Sequence, residues 1–124
     1  MNLDLRILIV DDFQPMLRII RNLLSKLGLE NVFEASDGSD ALQKCETETY
    51  DLIISDWHME PMNGLDLVKA LRAKNNTVPF IMITAETKTE NVLAAREVGV
   101  DTYIVKPFNA ETLRTKIESV LPSA

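Results

Sequence analysis

The sequence predicts an α/β fold: a five-stranded parallel sheet of the doubly wound, flavodoxin-like (βα)5 type, with strand order 2-1-3-4-5. Two observations carry that prediction. Short β-branched runs alternate with segments of helical period, and polar residues gather where the runs end. Such alternation implies parallel strands joined by right-handed helical crossovers, with both faces of the sheet covered. For five units, the order 2-1-3-4-5 puts a topological switch point between the first and third strands. Ligands belong at the carboxyl ends there.

The first strand is RILIV, residues 6–10. In the helix that follows, Met16, Ile19, Ile20, Leu23, Leu24 and Leu27 make one apolar stripe, Arg18, Arg21 and Lys26 lie elsewhere, and Gly28 supplies the stop. VFEA (32–35), LIIS (52–55), PFIMIT (79–84) and TYIV (102–105) are the remaining strands, each trailed by an amphipathic stretch. Leu67, Val68 and Leu71 repeat the helical spacing after the third strand; Leu113, Ile117, Val120 and Leu121 do so after the fifth. Met59, Met62 and Met82 read as adaptable core and loop filling, and Cys45 as core.

A chain of 124 residues with 46% hydrophobic content suits one domain across 1–124, burying roughly two-thirds of its unfolded surface. It carries no repeat beyond the βα unit, no low-complexity tract and no linker. Its net charge of −6 argues against nucleic acid or an anionic membrane as partner, because both are bound by neutralising phosphates with Lys and Arg. Proteins are the expected partners. A single cysteine cannot close an internal disulfide and suits a reducing compartment. The apolar run from Ile7 to Val10 is too short for a signal segment or a membrane span. The expectation is a cytoplasmic monomer.

The strand ends carry the chemistry. The first ends in Asp11 and Asp12, the third in Asp56, the fourth in Thr84 and the fifth in Lys106. Neighbouring strands lie about 4.8 Å apart, so Asp11, Asp12 and Asp56 should crowd across the switch point. At an effective dielectric near 20 and about 5 Å, each carboxylate pair costs on the order of 3 kcal/mol. A proton, a lysine or a divalent cation can offset that. Three carboxylates without a His or Cys cluster favour a hard ion with oxygen ligands, Mg2+ first. Asp56, between the acidic pair and Thr84 with Lys106, is the candidate nucleophile. Taken singly, each residue has a plainer reading: Asp12 as a helix cap, Thr84 as a β-branched strand end, Lys106 as a solvated lysine. Their joint placement carries the information.

In this order and spacing, VDDF, ISDWHM, MITAE and YIVKPF resemble the receiver domain of two-component response regulators, over the whole chain. The resemblance implies that Asp56 accepts a phosphoryl group. It further implies that Asp11, Asp12, Asp56 and the backbone carbonyl of His58 hold Mg2+, that Thr84 and Lys106 contact the phosphoryl oxygens, and that the Lys106–Pro107 peptide is cis. The stretches RIIRNLLSKLG, NVFEASDGSDAL, TAETKTENVLAA and VKPFNAETLRTKI resemble more narrowly the stand-alone chemotaxis regulators of that family. In that type Tyr103 is an aromatic switch that packs inward when Thr84 is drawn to the phosphate, and the face of helix four, strand five and helix five carries the signal. The partners so implied are a sensor histidine kinase and a downstream protein, a flagellar motor switch protein among the candidates. The chain would act as a phosphorelay switch, catalysing only its own phosphorylation and dephosphorylation.

Two departures from the family pattern fall in the loop DWHMEPMNG. Glu60 stands where the family usually has proline, with Pro61 one position later, and His58 stands where chemotaxis regulators often have Asn. By resemblance His58 and Glu86 would flank the path of attacking water and modulate dephosphorylation. An enzyme alternative is a small Mg2+-dependent phosphohydrolase of the haloacid-dehalogenase type that works through an aspartyl phosphate. Against it, the chain has no cap domain, and DWH lacks an acid two residues after the nucleophile. A flavodoxin-like nucleotide binder is disfavoured because DDFQP would repel a phosphate.

Overall fold

The computed structural model describes residues 2–85 and 89–121. Strands and helices alternate as β1 (Ile7–Val10), α1 (Gln14–Lys26), β2 (Val32–Ala35), α2 (Gly38–Thr47), β3 (Leu52–Asp56), α3 (Gly64–Ala73), β4 (Phe80–Thr84), α4 (Thr89–Glu97), β5 (Thr102–Val105) and α5 (Ala110–Val120). All neighbouring strands pair in parallel, and the sheet order is β2-β1-β3-β4-β5. The predicted fold class is the observed one. In register, Val10 lies opposite Ala35 on one side and Ser55 on the other, Asp56 opposite Ile83, and Thr84 opposite Val105.

Helices cover both faces, so β1, β3 and β4 are buried along their whole length. Alternate residues of each strand point to opposite faces. On one face Ile7, Ile9, Ile54, Ile81, Ile83 and Ile104 pack with Leu17, Ile20 and Leu24 of α1 and Leu113 and Ile117 of α5. On the other, Leu8, Val10, Ile53, Phe80 and Met82 pack with Leu67, Val68 and Leu71 of α3. Cys45 sits half-buried at the margin of this second cluster, and burial pushes its thiol pKa up.

The α1 stripe differs from the expected one. Leu17 is only 1% exposed and joins the core, while Ile19 is 47% exposed. The buried set Leu17, Ile20 and Leu24 runs at i, i+3, i+7, and Ile19 falls to its edge, so the stripe is rotated toward Leu17. The helix stops as the sequence implied. Gly28 has φ +85°, the Leu29 N–H donates to the Leu24 carbonyl at 2.9 Å, and the Gly28 N–H donates to the Ser25 carbonyl at 2.9 Å. This paired return is a Schellman motif. At the other end Asp12 does not cap α1. The N-cap is Phe13, without a side-chain bond, and its N–H donates to Asp11 Oδ1 at 3.0 Å. That frees Asp12 from the plain capping role.

Asp37, Asn63 and Asn109 do cap α2, α3 and α5, accepting from the N–H of Asp40, Asp66 and Thr112 at 3.0, 2.8 and 2.8 Å. Below the sheet, Arg72 Nη2 donates to the Gly99 carbonyl at 2.7 Å and Nη1 to the Asn76 carbonyl at 2.9 Å. Asp101 Oδ2, next to that guanidinium, accepts the Phe80 N–H at 2.8 Å. These bonds tie the end of α3 to the starts of β4 and β5.

Candidate functional site

Because β1 and β3 are neighbours, the residue after β1 and the last residue of β3 emerge side by side. Asp11 is 1% exposed and Asp56 6%, while Asp12 is exposed. One carboxylate oxygen from each of the three lies within 4.8 Å of the others. The Lys106 ammonium reaches in from beyond β5 to 3.0 Å from Asp56 Oδ1, and the Lys106 N–H donates to the Thr84 carbonyl at 2.9 Å. The Lys106–Pro107 peptide is cis, and so is Glu60–Pro61.

Burial is the main reason that the Asp11 pKa rises from 3.8 to about 6. The Phe13 N–H works against that rise, and the Asp56 charge adds to it. Asp11 Oδ2 is buried and has no hydrogen-bond partner among the described residues. A buried polar atom left unsatisfied is costly, the more so for a carboxylate oxygen facing other carboxylates. An orphaned oxygen within an all-oxygen donor set fits a hard divalent cation such as Mg2+.

Thr84 is buried at the end of β4, on the strand beside Asp56. Tyr103 lies in β5 opposite Met82, half-buried against the α3-side core, with the Lys116 ammonium 5.4 Å from its ring centre. It stands apart from the carboxylates. His58 is exposed, its ring stacked on Trp57 at 6.1 Å and 18°. Glu86 lies outside the described residues.

Two site residues escaped the sequence reading. The Ser55 hydroxyl, fully buried, donates to the Asp56 carbonyl at 2.9 Å. Gly64 opens α3 so close to β3 that an added Cβ would collide with that same carbonyl and lie 2.7 Å from Met82 Sδ. The signal for Gly64 was present: a glycine closing a loop after the acidic strand end, where backbone must approach backbone.

Residues 7–118 match the response regulator receiver domain. The chain belongs to that family. It is 45% identical to chemotaxis protein CheY of Pseudomonas aeruginosa over 118 residues, covering 94% of this chain and 95% of that protein. To chemotaxis protein CheY-3 of Vibrio cholerae it is 45% identical over 122 residues, 97% of this chain and 94% of that one. Among solved structures, the chemotaxis response regulator CheY4 of Vibrio cholerae superposes with a TM-score of 0.87 at 37% identity, covering 95% of this chain and 99% of that one. The Francisella response regulator 1452 receiver domain gives the same TM-score at 31% identity, over 94% and 96% of the two chains. Receiver domains are signalling proteins rather than classical enzymes, and Mg2+ and phosphoaspartate are typical of them. No helix among the described residues is long and apolar enough to cross a membrane.

Proposed function

We propose that this receiver domain takes a phosphoryl group onto Asp56 from the phosphohistidine of a sensor kinase, and that the modified domain engages a downstream protein in chemotaxis. The observation that carries the reading is the meeting of Asp11, Asp12 and Asp56 within 4.8 Å, with Lys106 3.0 Å from Asp56. An Asp56 carboxylate oxygen attacks phosphorus, the P–N bond to the donor imidazole breaks, and its electron pair returns to the imidazole nitrogen. Asp11, Asp12, Asp56 and the His58 carbonyl would hold Mg2+, whose charge, when bound, offsets the carboxylates and the incoming phosphoryl oxygens. Lys106 and the Thr84 hydroxyl bind those oxygens as the transfer proceeds. Water later hydrolyses the acyl phosphate, a step that His58 and Glu86 would modulate by kinship.

The phosphoryl group adds about 1.5 to 2 negative charges. Drawing Thr84 toward it frees room for Tyr103 to turn inward, which alters the face of α4, β5 and α5 seen by the target, a flagellar motor switch protein by kinship. Moving a two-state domain from 1:99 to 99:1 takes about 5.5 kcal/mol of differential interaction, within reach of a charged lysine contact, a hydroxyl contact and repacking. The domain works as one unit in the cytoplasm. Incubating wild type and Asp56→Asn with acetyl phosphate and Mg2+ should add one phosphoryl mass to wild type alone. Equal labelling of both would refute Asp56 as acceptor, and multiple turnover on free phosphoesters would favour a phosphohydrolase.

A further inference from the structure

The peptide group that follows Asp56 is held at both ends. Its N–H, that of Trp57, donates to the Ile83 carbonyl in β4 at 3.0 Å. Its C=O, that of Asp56, accepts the Ser55 hydroxyl at 2.9 Å. One residue on, the Trp57 carbonyl accepts the Gly64 N–H at 2.9 Å, closing the loop back onto the helix that Gly64 starts. Ser55 is fully buried in a strand whose other interior residues, Leu52, Ile53 and Ile54, are apolar. A hydroxyl in such surroundings is unfavourable unless it is bonded, and alanine would fill the same space without a polar group. Its bond goes to the carbonyl of the neighbouring aspartate, where the pairing of β3 with β1 has already ended at Ser55.

Resting on Asp56 as phosphoacceptor, we infer that Ser55 is a positioning residue: its hydroxyl fixes the peptide plane after Asp56 and thereby aims the Asp56 carboxylate at Asp11 and Lys106. It touches neither phosphoryl group nor cation. Losing it leaves the core packed while the acceptor's backbone rocks about the remaining Trp57 bond. The chemistry then starts from a broader set of carboxylate orientations.

Ser55→Ala tests this against Val78→Ala, a core truncation in the segment leading into β4, far from the carboxylates. In metal-free protein, amide exchange of the Trp57 N–H should speed up in Ser55→Ala more than the change in global unfolding predicts. With Mg2+, phosphorylation by acetyl phosphate should slow by about three- to tenfold, the worth of one buried hydrogen bond. Val78→Ala should lower the melting temperature and leave both readouts at wild-type values. Wild-type exchange and labelling in Ser55→Ala would overturn the inference, as would equal slowing in Val78→Ala, which would trace the effect to stability. A wild type that labels only as well as Asp56→Asn would instead take down the acceptor assignment itself, and this inference with it.

Discussion

The carboxyl of Asp11 is perturbed by its burial, and the perturbation fixes the sign of its pH dependence. Burial, the largest cause, lifts its pKa in the folded state to about 6 from an ordinary 3.8. The native state therefore holds the Asp11 proton more tightly than the unfolded chain does. The stability tied to that proton is fully present below about pH 4 and is lost as pH rises through about 6. In chelator at about pH 7.5, Asp11→Asn should thus be more stable than wild type by roughly 2 to 3 kcal/mol, and nearly equal to it at about pH 4. Urea denaturation at the two pH values measures this, and a stabilisation of the same size at both would contradict it. Asn keeps the acceptor for the Phe13 N–H, so the change isolates the charge.

At the scale of elements, β1, β3, β4 and β5 deliver Asp11, Asp12, Asp56, Thr84 and Lys106 to the site at their carboxyl ends. The C-terminus of α1 turns on Gly28, whose φ of +85° is open to glycine and strained for other residues. Gly28→Ala should cost about 1 to 2 kcal/mol, read as a lowered urea midpoint at unchanged slope. Labelling of Asp56 should be preserved, since Gly28 lies at the opposite end of α1 from Asp11. A two-state transition that broadened instead would mean that α1 had detached. Gly64 sits in a tighter place: its Cα faces the Asp56 carbonyl and Met82, so the start of α3 and the acceptor are built against each other.

For the whole molecule, folding itself assembles a centre that carries unfavourable charge. The sheet order makes β1 and β3 neighbours, and three carboxylates meet with, among the described residues, Lys106 beside Asp56 to oppose them. A cation binding there stabilises the native state through mass action, by about 2.7 kcal/mol at a hundredfold excess over its dissociation constant. Mg2+ should raise the melting temperature and quench or enhance Trp57 fluorescence, EDTA should reverse both, and Asp11→Asn should blunt both. A melting temperature indifferent to Mg2+ over a wide titration would tell against the metal centre.

The strands and the positions of the chemical groups were legible in the residues because β-branched runs and helical periods are local signals, and a parallel sheet puts successive strand ends on one edge. Asp11, Asp12, Asp56, Thr84 and Lys106 could be named from that rule alone. Which carboxylate is buried and which exposed could not, since the difference between Asp11 and Asp12 depends on how the chain leaves β1 and gives its Phe13 N–H to one of them. The rotation of α1 that buries Leu17 and exposes Ile19 likewise comes from packing against β1, β3 and α5, because an apolar stripe defines a face only to within a residue or so. The Ser55 hydroxyl and the bare Cα of Gly64 acquire meaning only beside the Asp56 carbonyl. Periodicity along the chain decides which residues reach the edge of the sheet; contacts between segments distant in sequence decide the environment each one meets there.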